Sequence, residues 1–172
     1  MSSGLETVGR RYERGEYFLS ELIMAGILSA EISKILKPYL ESSMIEPLGK
    51  IVVATVKGDM HDIGKNIVAM MLSSAGFEVL DLGVDVPSEK IVETVREEKP
   101  DIVAMSCLLT IAMDEMKNVI DTMGRAGLRD KVRVLVGGRP VTREIAEEIG
   151  ADAYASNAIE AISTAKSPIK DT

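Results

Sequence analysis

Residues 51–64 read IVVATVKGDMHDIG, and this stretch decides the fold. Ile51 to Val56 is a short, nearly continuous apolar run rich in β-branched residues. Runs of that kind form strands buried on both faces, as in a parallel sheet. Gly58 breaks the run, and residues 63 to 75 then read as helix, ended at Gly76 by a residue suited to a helix C-terminus. Strand, polar turn and helix together make the first half of a βαβ unit.

The same alternation continues toward the C-terminus. Phe77 to Leu82 reads as strand, and Ser88, just behind Pro87, reads as the cap of a helix running to about Lys99. Asp101 to Met105 is strand and Met113 to Arg125 helix; Val132 to Val136 is strand and Thr142 to Ile149 helix. A short strand near Ala153 and a helix from Ala158 close the chain. Alternation of this kind implies right-handed crossovers. The predicted fold is α/β, a flavodoxin-like doubly wound parallel five-stranded sheet with strand order 2-1-3-4-5.

Toward the N-terminus the texture changes. Leu19, Leu22, Ile23, Ile27, Leu28, Ile32, Ile35, Leu36 and Leu40 recur at three- and four-residue spacing, the helical period. Gly15 separates an earlier short helical turn from this longer helix, and Pro38 falls where it can kink the end. Glu41 to Lys50 carries Ser, Pro and Gly and reads as a linker. The expected organisation is a partial helical cap with its linker over 1–46 and a Rossmann-like domain over 47–172.

Composition narrows the function. The chain has 172 residues, enough for one domain with a small appendage. Its net charge of −7 argues against a nucleic-acid partner, which needs a basic face. Aromatic residues at 3% leave little for stacking on bases. No apolar stretch approaches the length of a bilayer span, so no membrane role is expected. A lone cysteine, Cys107, and no apolar leader segment suggest a reducing cytoplasm.

In an open parallel sheet, ligands bind beyond the carboxyl ends of the strands, near the switch point between the first and third. After the first strand comes Gly58-Asp59-Met60-His61-Asp62-Ile63-Gly64, and after the third Ser106-Cys107-Leu108-Leu109-Thr110. After the fourth comes Gly137-Gly138-Arg139-Pro140, and around the fifth Tyr154-Ala155-Ser156-Asn157-Ala158. The only histidine therefore shares one edge with carboxylates, small hydroxyls and a glycine pair. His61 fits two readings: a transition-metal ligand whose other N–H goes to Asp59, or a surface histidine near a helix N-terminus. Ser106 and Thr110 either cap the next helix or line a slot for a planar group, and Gly137-Gly138 either makes a tight turn or opens that slot. Cys107 reads as a small buried residue, since no second histidine exists to activate it. Asp81 and Asp85 read as solvated loop acids. No phosphate-loop or dinucleotide fingerprint is present.

Asp59-x-His61-x-x-Gly64, then Ser106-x-Leu108-x-Thr110, then Gly137-Gly138, resemble the cobalamin-binding domain of methionine synthase and of the corrinoid proteins of methyltransferase systems. Tyr12-x-x-Gly15-Glu16-Tyr17-Phe18-Leu19 and the helix to Tyr39 resemble the second half of that family's helical cap. The resemblance covers nearly the whole chain. It implies a cobalamin or related corrinoid, with His61 as the cobalt ligand from below and Asp59 modulating it. Gly58, Met60, Asp62, Ile63 and Gly64 would complete the loop, and Tyr154 the far end of the edge. Ser106, Leu108, Thr110, Gly137, Gly138 and Ala158 would line the slot for the displaced nucleotide tail. Tyr12 and Leu19 would sit above the corrin.

The implied function is a carrier of methyl groups on cobalt. It would work between a substrate-specific methyltransferase and an acceptor methyltransferase for coenzyme M or tetrahydrofolate, as a subunit rather than a complete enzyme. Methanol, methylamines and methoxylated aromatics are that family's donor classes. A reductive activase is an implied partner, and a homo-oligomer is compatible with the sequence. A cobalamin-dependent sensor and a mutase cobalamin subunit are the alternatives. Two departures carry expectations. About 45 residues precede the sheet domain, half of the family's usual cap, so the upper face is expected to be open or completed by another chain. The family can also extend its Asp–His pair to a serine at the position of Ala112, so the relay here is expected to be shortened.

Overall fold

A computed structural model describes residues 2–40 and 46–167. Its sheet has five parallel strands in the order β2-β1-β3-β4-β5, with β1 at Lys50–Thr55, β2 at Glu78–Asp81, β3 at Ile102–Ser106, β4 at Arg133–Gly137 and β5 at Ala153–Ala155. The connecting helices are α3 (Ile63–Ser74), α4 (Ser88–Glu98), α5 (Met113–Arg125), α6 (Arg143–Ile149) and α7 (Ala158–Lys166), following α1 (Ser2–Glu13) and α2 (Leu19–Leu40). The flavodoxin-like sheet read from the sequence is therefore the observed one.

Side-chain alternation along each strand builds two cores. Ile51, Val53, Ile102, Ala104 and Leu135 point to the face covered by α3 and α7. Val52, Ala54, Val103, Met105 and Val134 point to the face covered by α4, α5 and α6. The β1 side chains are essentially unexposed on both faces, as the unbroken apolar run required. The cap adds a third layer on the α3/α7 side, where Leu5 of α1 and Leu22 of α2 join the core. Gly26 lets α2 approach closely, because a Cβ there would lie 1.9 Å from Cε of Met70 on α3.

Several local readings change. The expected short turn before Gly15 is a 12-residue helix, α1, and α2 continues past Pro38 to Leu40. Residues 41–45 of the expected linker lie outside the described residues. Ser88 is not a capping side chain: Pro87 holds the cap position, and the buried Ser88 hydroxyl accepts from Asn118 Nδ2. Ser106 and Thr110 do not cap α5 either, whose N-cap is Ala112. Among the described residues, no helix is long and apolar enough to cross a membrane.

Candidate functional site

The strand register lines up small residues at the carboxyl edge. Thr55 of β1 pairs with Ser106 of β3, Ser106 with Gly137 of β4, and Gly137 with Ala155 of β5. Ser106, Gly137 and Ala155 of this row floor a cavity of about 420 Å³ that runs from the cap into the space between the sheet and helices α3 and α7. Of the residues expected from the sequence, Tyr12, Leu19, His61, Gly64, Ser106, Leu108, Gly137, Gly138 and Ala158 line it.

Backbone crowding accounts for the glycine pair. A Cβ on Gly138 would lie 1.8 Å from the Cys107 carbonyl oxygen, and one on Gly137 would lie 2.8 Å from that of Ala155. Gly138 also has φ of 125°, a conformation that residues with a Cβ rarely adopt. Gly64 differs. A Cβ there would meet no protein atom within 4 Å, and the residue lies in α3, where glycine costs up to about 1 kcal/mol relative to alanine. Nothing within the chain demands a glycine at that place.

The loop after β1 is fixed from three sides. Thr55 Oγ1 donates to the His61 carbonyl at 2.9 Å, and the Gly58 amide donates to Asp85 Oδ1 at 2.7 Å. Asp59, wholly buried, ties the loop to the one after β3. Its Oδ1 accepts from the His61 backbone N–H at 2.9 Å and faces His61 Nδ1 at 2.6 Å. Its Oδ2 accepts from the backbone amides of Leu108 at 2.5 Å and Leu109 at 3.1 Å. Burial alone would raise the Asp59 pKa. The hydrogen bonds from Leu108, from the His61 amide and imidazole, and from Leu109 more than reverse that and hold it at about 2.

An ionised Asp59 accepts a hydrogen bond from Nδ1–H, so Nε2 carries the lone pair of neutral His61. The imidazole is half exposed (52% of the side chain), and His61 lines the cavity. Both Asp59 oxygens are thus occupied, by His61 and by backbone amides, and Ala112 has no hydroxyl to offer. Cys107 is buried, and burial followed by the Asp59 charge pushes its thiol up to about 11. The thiol donates to the Leu109 carbonyl at 3.1 Å.

Other expected residues fall elsewhere. Gly58, Asp62 and Thr110 do not line the cavity, and neither do Met60 and Ile63, each 69% exposed. Tyr154 is not brought to the cavity at all. It packs on the α4/α5/α6 face, with the Arg143 guanidinium 5.8 Å from its ring centre, because β5 turns Ala155 and not Tyr154 toward the slot. Asp81 and Asp85 are more than solvated acids: Asp81 accepts from the buried Lys65 ammonium and Asp85 holds the histidine loop. Sequence reading missed Ile111, 86% exposed beside Leu108, and Arg139, which lines the cavity. The signal for both was position: each lies in the segment after a strand, where an exposed apolar or unpaired basic residue needs a reason.

A parallel sheet with a carboxylate-oriented imidazole at its switch point, beside a slot floored by small residues, defines a cofactor-binding domain of the flavodoxin-like type. The family model for the B12-binding domain matches residues 49–163. The chain belongs to the B12-binding domain family, whose cofactor is cobalamin or a related corrinoid. It is 45% identical over 167 residues to the dimethylamine corrinoid protein of Methanosarcina barkeri, covering 96% of this chain and 78% of that one. A crystal structure of a cobalamin-binding protein from Desulfitobacterium hafniense DCB-2 superposes with a TM-score of 0.83 at 43% identity, over 95% of this chain and 77% of that one. The methanol:cobalamin methyltransferase complex of Methanosarcina barkeri has a chain with a TM-score of 0.81 at 32% identity, over 95% of this chain and 62% of that one.

The residues present fit such a group. Met60, Leu108, Ile63 at the start of α3 and Ile111 in the short helical turn ahead of α5 are exposed apolar side chains, a surface suited to the flat face of a macrocycle. Gly64 leaves open the space a Cβ would fill. Among the described residues, no three metal-binding side chains cluster, so a metal on His61 would have to arrive with its remaining ligands, as cobalt in a corrin does.

Proposed function

We propose that this chain is a corrinoid methyl carrier of a methylamine-type methyltransferase system. It would take a methyl group from a substrate-specific methyltransferase and present it to an acceptor methyltransferase for coenzyme M or tetrahydrofolate. The observation that carries the reading is the Asp59–His61 pair at 2.6 Å, on the sheet edge above a slot floored by small residues. The donor class is supported by its similarity to dimethylamine and trimethylamine corrinoid proteins of Methanosarcina barkeri. When bound, the corrinoid supplies the cobalt that accepts and gives up the methyl group.

The protein's part is to bind, orient and exclude water. His61 Nε2 is the donor toward the metal, and Asp59 fixes the tautomer and strengthens that donor. Ser106, Gly137, Gly138 and Ala158 keep the slot narrow and open for a nucleotide tail. Tyr12 and Leu19 stand over the opposite end of the cavity, on the cap, where they shield a bound cofactor.

Reconstitution with hydroxocobalamin tests the reading. Wild type should show the spectrum of cobalamin that has exchanged its own base for a histidine, and His61→Ala should lose it. Identical spectra from the two would refute the axial role. For the carrier role, methyl transfer should be followed with purified methylamine-, methanol- and methoxyaromatic-specific methyltransferases. Activity with the methylamine enzymes is expected, and failure with every donor class would leave corrinoid binding without carriage.

A further inference from the structure

The cavity carries a charge pattern that its family resemblance does not require. The chain as a whole is acidic, at −7, yet among the described residues none that lines the cavity is acidic. Its charged lining residues are Lys65 and Arg139, besides His61. Lys65 is buried and spent on Asp81 at 2.5 Å. Arg139 is exposed at the cavity wall and, among the described residues, has neither an ion pair nor a hydrogen bond. The neighbouring arginines are all engaged: Arg129 with Asp152, Arg133 with the Thr164 and Ser167 carbonyls, and Arg143 with Glu160. The one carboxylate close by on α7, Glu160, is held by the Ser156 amide and hydroxyl and does not line the cavity.

We infer that Arg139 is a specificity-determining residue that recognises a phosphodiester on the ligand occupying the slot. The inference rests on the corrinoid reading of the site, where the phosphodiester is the one joining the corrin side chain to the nucleotide tail. Gly138 fixes the geometry. Its left-handed backbone, pressed against the Cys107 carbonyl, ends β4 abruptly and sets Arg139 at the slot wall beside Ser156 and Asn157. A guanidinium suits the task, because its planar fork matches two phosphate oxygens at once and stays charged at any relevant pH. An unpaired cation in a wall without acids also gives the slot a preference for intact, phosphate-bearing corrinoids over truncated ones.

The test compares two probes on the full chain: cobalamin, and cobinamide, which lacks the phosphate and the nucleotide. Dissociation constants are read from the visible spectrum for wild type, Arg139→Ala and Arg139→Lys. Arg139→Ala should weaken cobalamin binding about tenfold and leave cobinamide within about twofold, with Arg139→Lys between. Added inorganic phosphate should compete with cobalamin on wild type and lose that effect on Arg139→Ala. Equal losses for both corrinoids, or no loss for either, would overturn the role of Arg139 while leaving corrinoid binding intact. If wild type takes up neither corrinoid, it is the proposed function that fails.

Discussion

Asp59 concentrates the chemistry of this protein in one carboxylate. Its pKa of about 2 in the folded state, against 3.8 ordinarily, means that the ionised form stabilises the fold. That contribution, about 2 kcal/mol, is complete above pH 4 and fades as pH falls toward 2. Asp59→Asn should therefore be less stable than wild type at pH 6 in urea titrations, with the gap closing below pH 4. A gap independent of pH would mean the carboxylate is not held as described. Two glycines of the same edge should respond in opposite ways. Gly138→Ala meets a carbonyl and a forbidden φ, and should cost roughly 2–4 kcal/mol in thermal or urea melts. Gly64→Ala meets nothing, and should stabilise the cofactor-free chain by about 0.5–1 kcal/mol while lowering corrinoid uptake. The motif named both residues, but sequence alone could not tell a glycine required by the backbone from one required by empty space.

At the scale of elements, period decided what was readable. Met113–Arg125 matches its expected span through its amphipathic stripe, without a capping side chain at Ala112, and Arg143–Ile149 follows the cap residue Thr142. Thr142 does cap α6, by accepting from the Ile145 amide. Ser88 failed as a cap because the preceding Pro87 takes the extended backbone position itself. The cap is seated by the α2–α3 crossing at Gly26. Gly26→Leu should wedge the two helices apart at a cost of about 1–3 kcal/mol. The expected signature is faster proteolysis within residues 2–40 with little change in the sheet domain. Unchanged cleavage would show that the crossing does not hold the cap. α2 also keeps Met24, Ile27, Leu28 and Ile35 exposed, so the apolar residues read at helical spacing in the sequence do not all turn inward.

For the whole molecule, a ligand filling the slot should couple to folding. At a free corrinoid concentration 100 times the dissociation constant, binding adds about 2.7 kcal/mol. For a chain of 172 residues that corresponds to a rise of roughly 5–11 °C in melting temperature. If His61 holds the metal as proposed, His61→Ala should keep the part of this shift that comes from the slot and the exposed apolar side chains, and lose the part that His61 would supply. No shift for wild type would mean the cavity does not take up the cofactor in the folded state.

The sequence by itself determined the βαβ order, the strand that carries His61 and the edge where the site lies. These are local properties: apolar period, β-branched runs and turn residues report which face is buried, and topology places the strand ends. Only the tertiary structure decided the rest. That Asp59 is clamped by amides from a loop 49 residues away, that Tyr154 turns from the slot while Ala155 enters it, and that Arg139 is left unpaired all depend on strand register. Register is set by packing between distant segments, which no local pattern encodes.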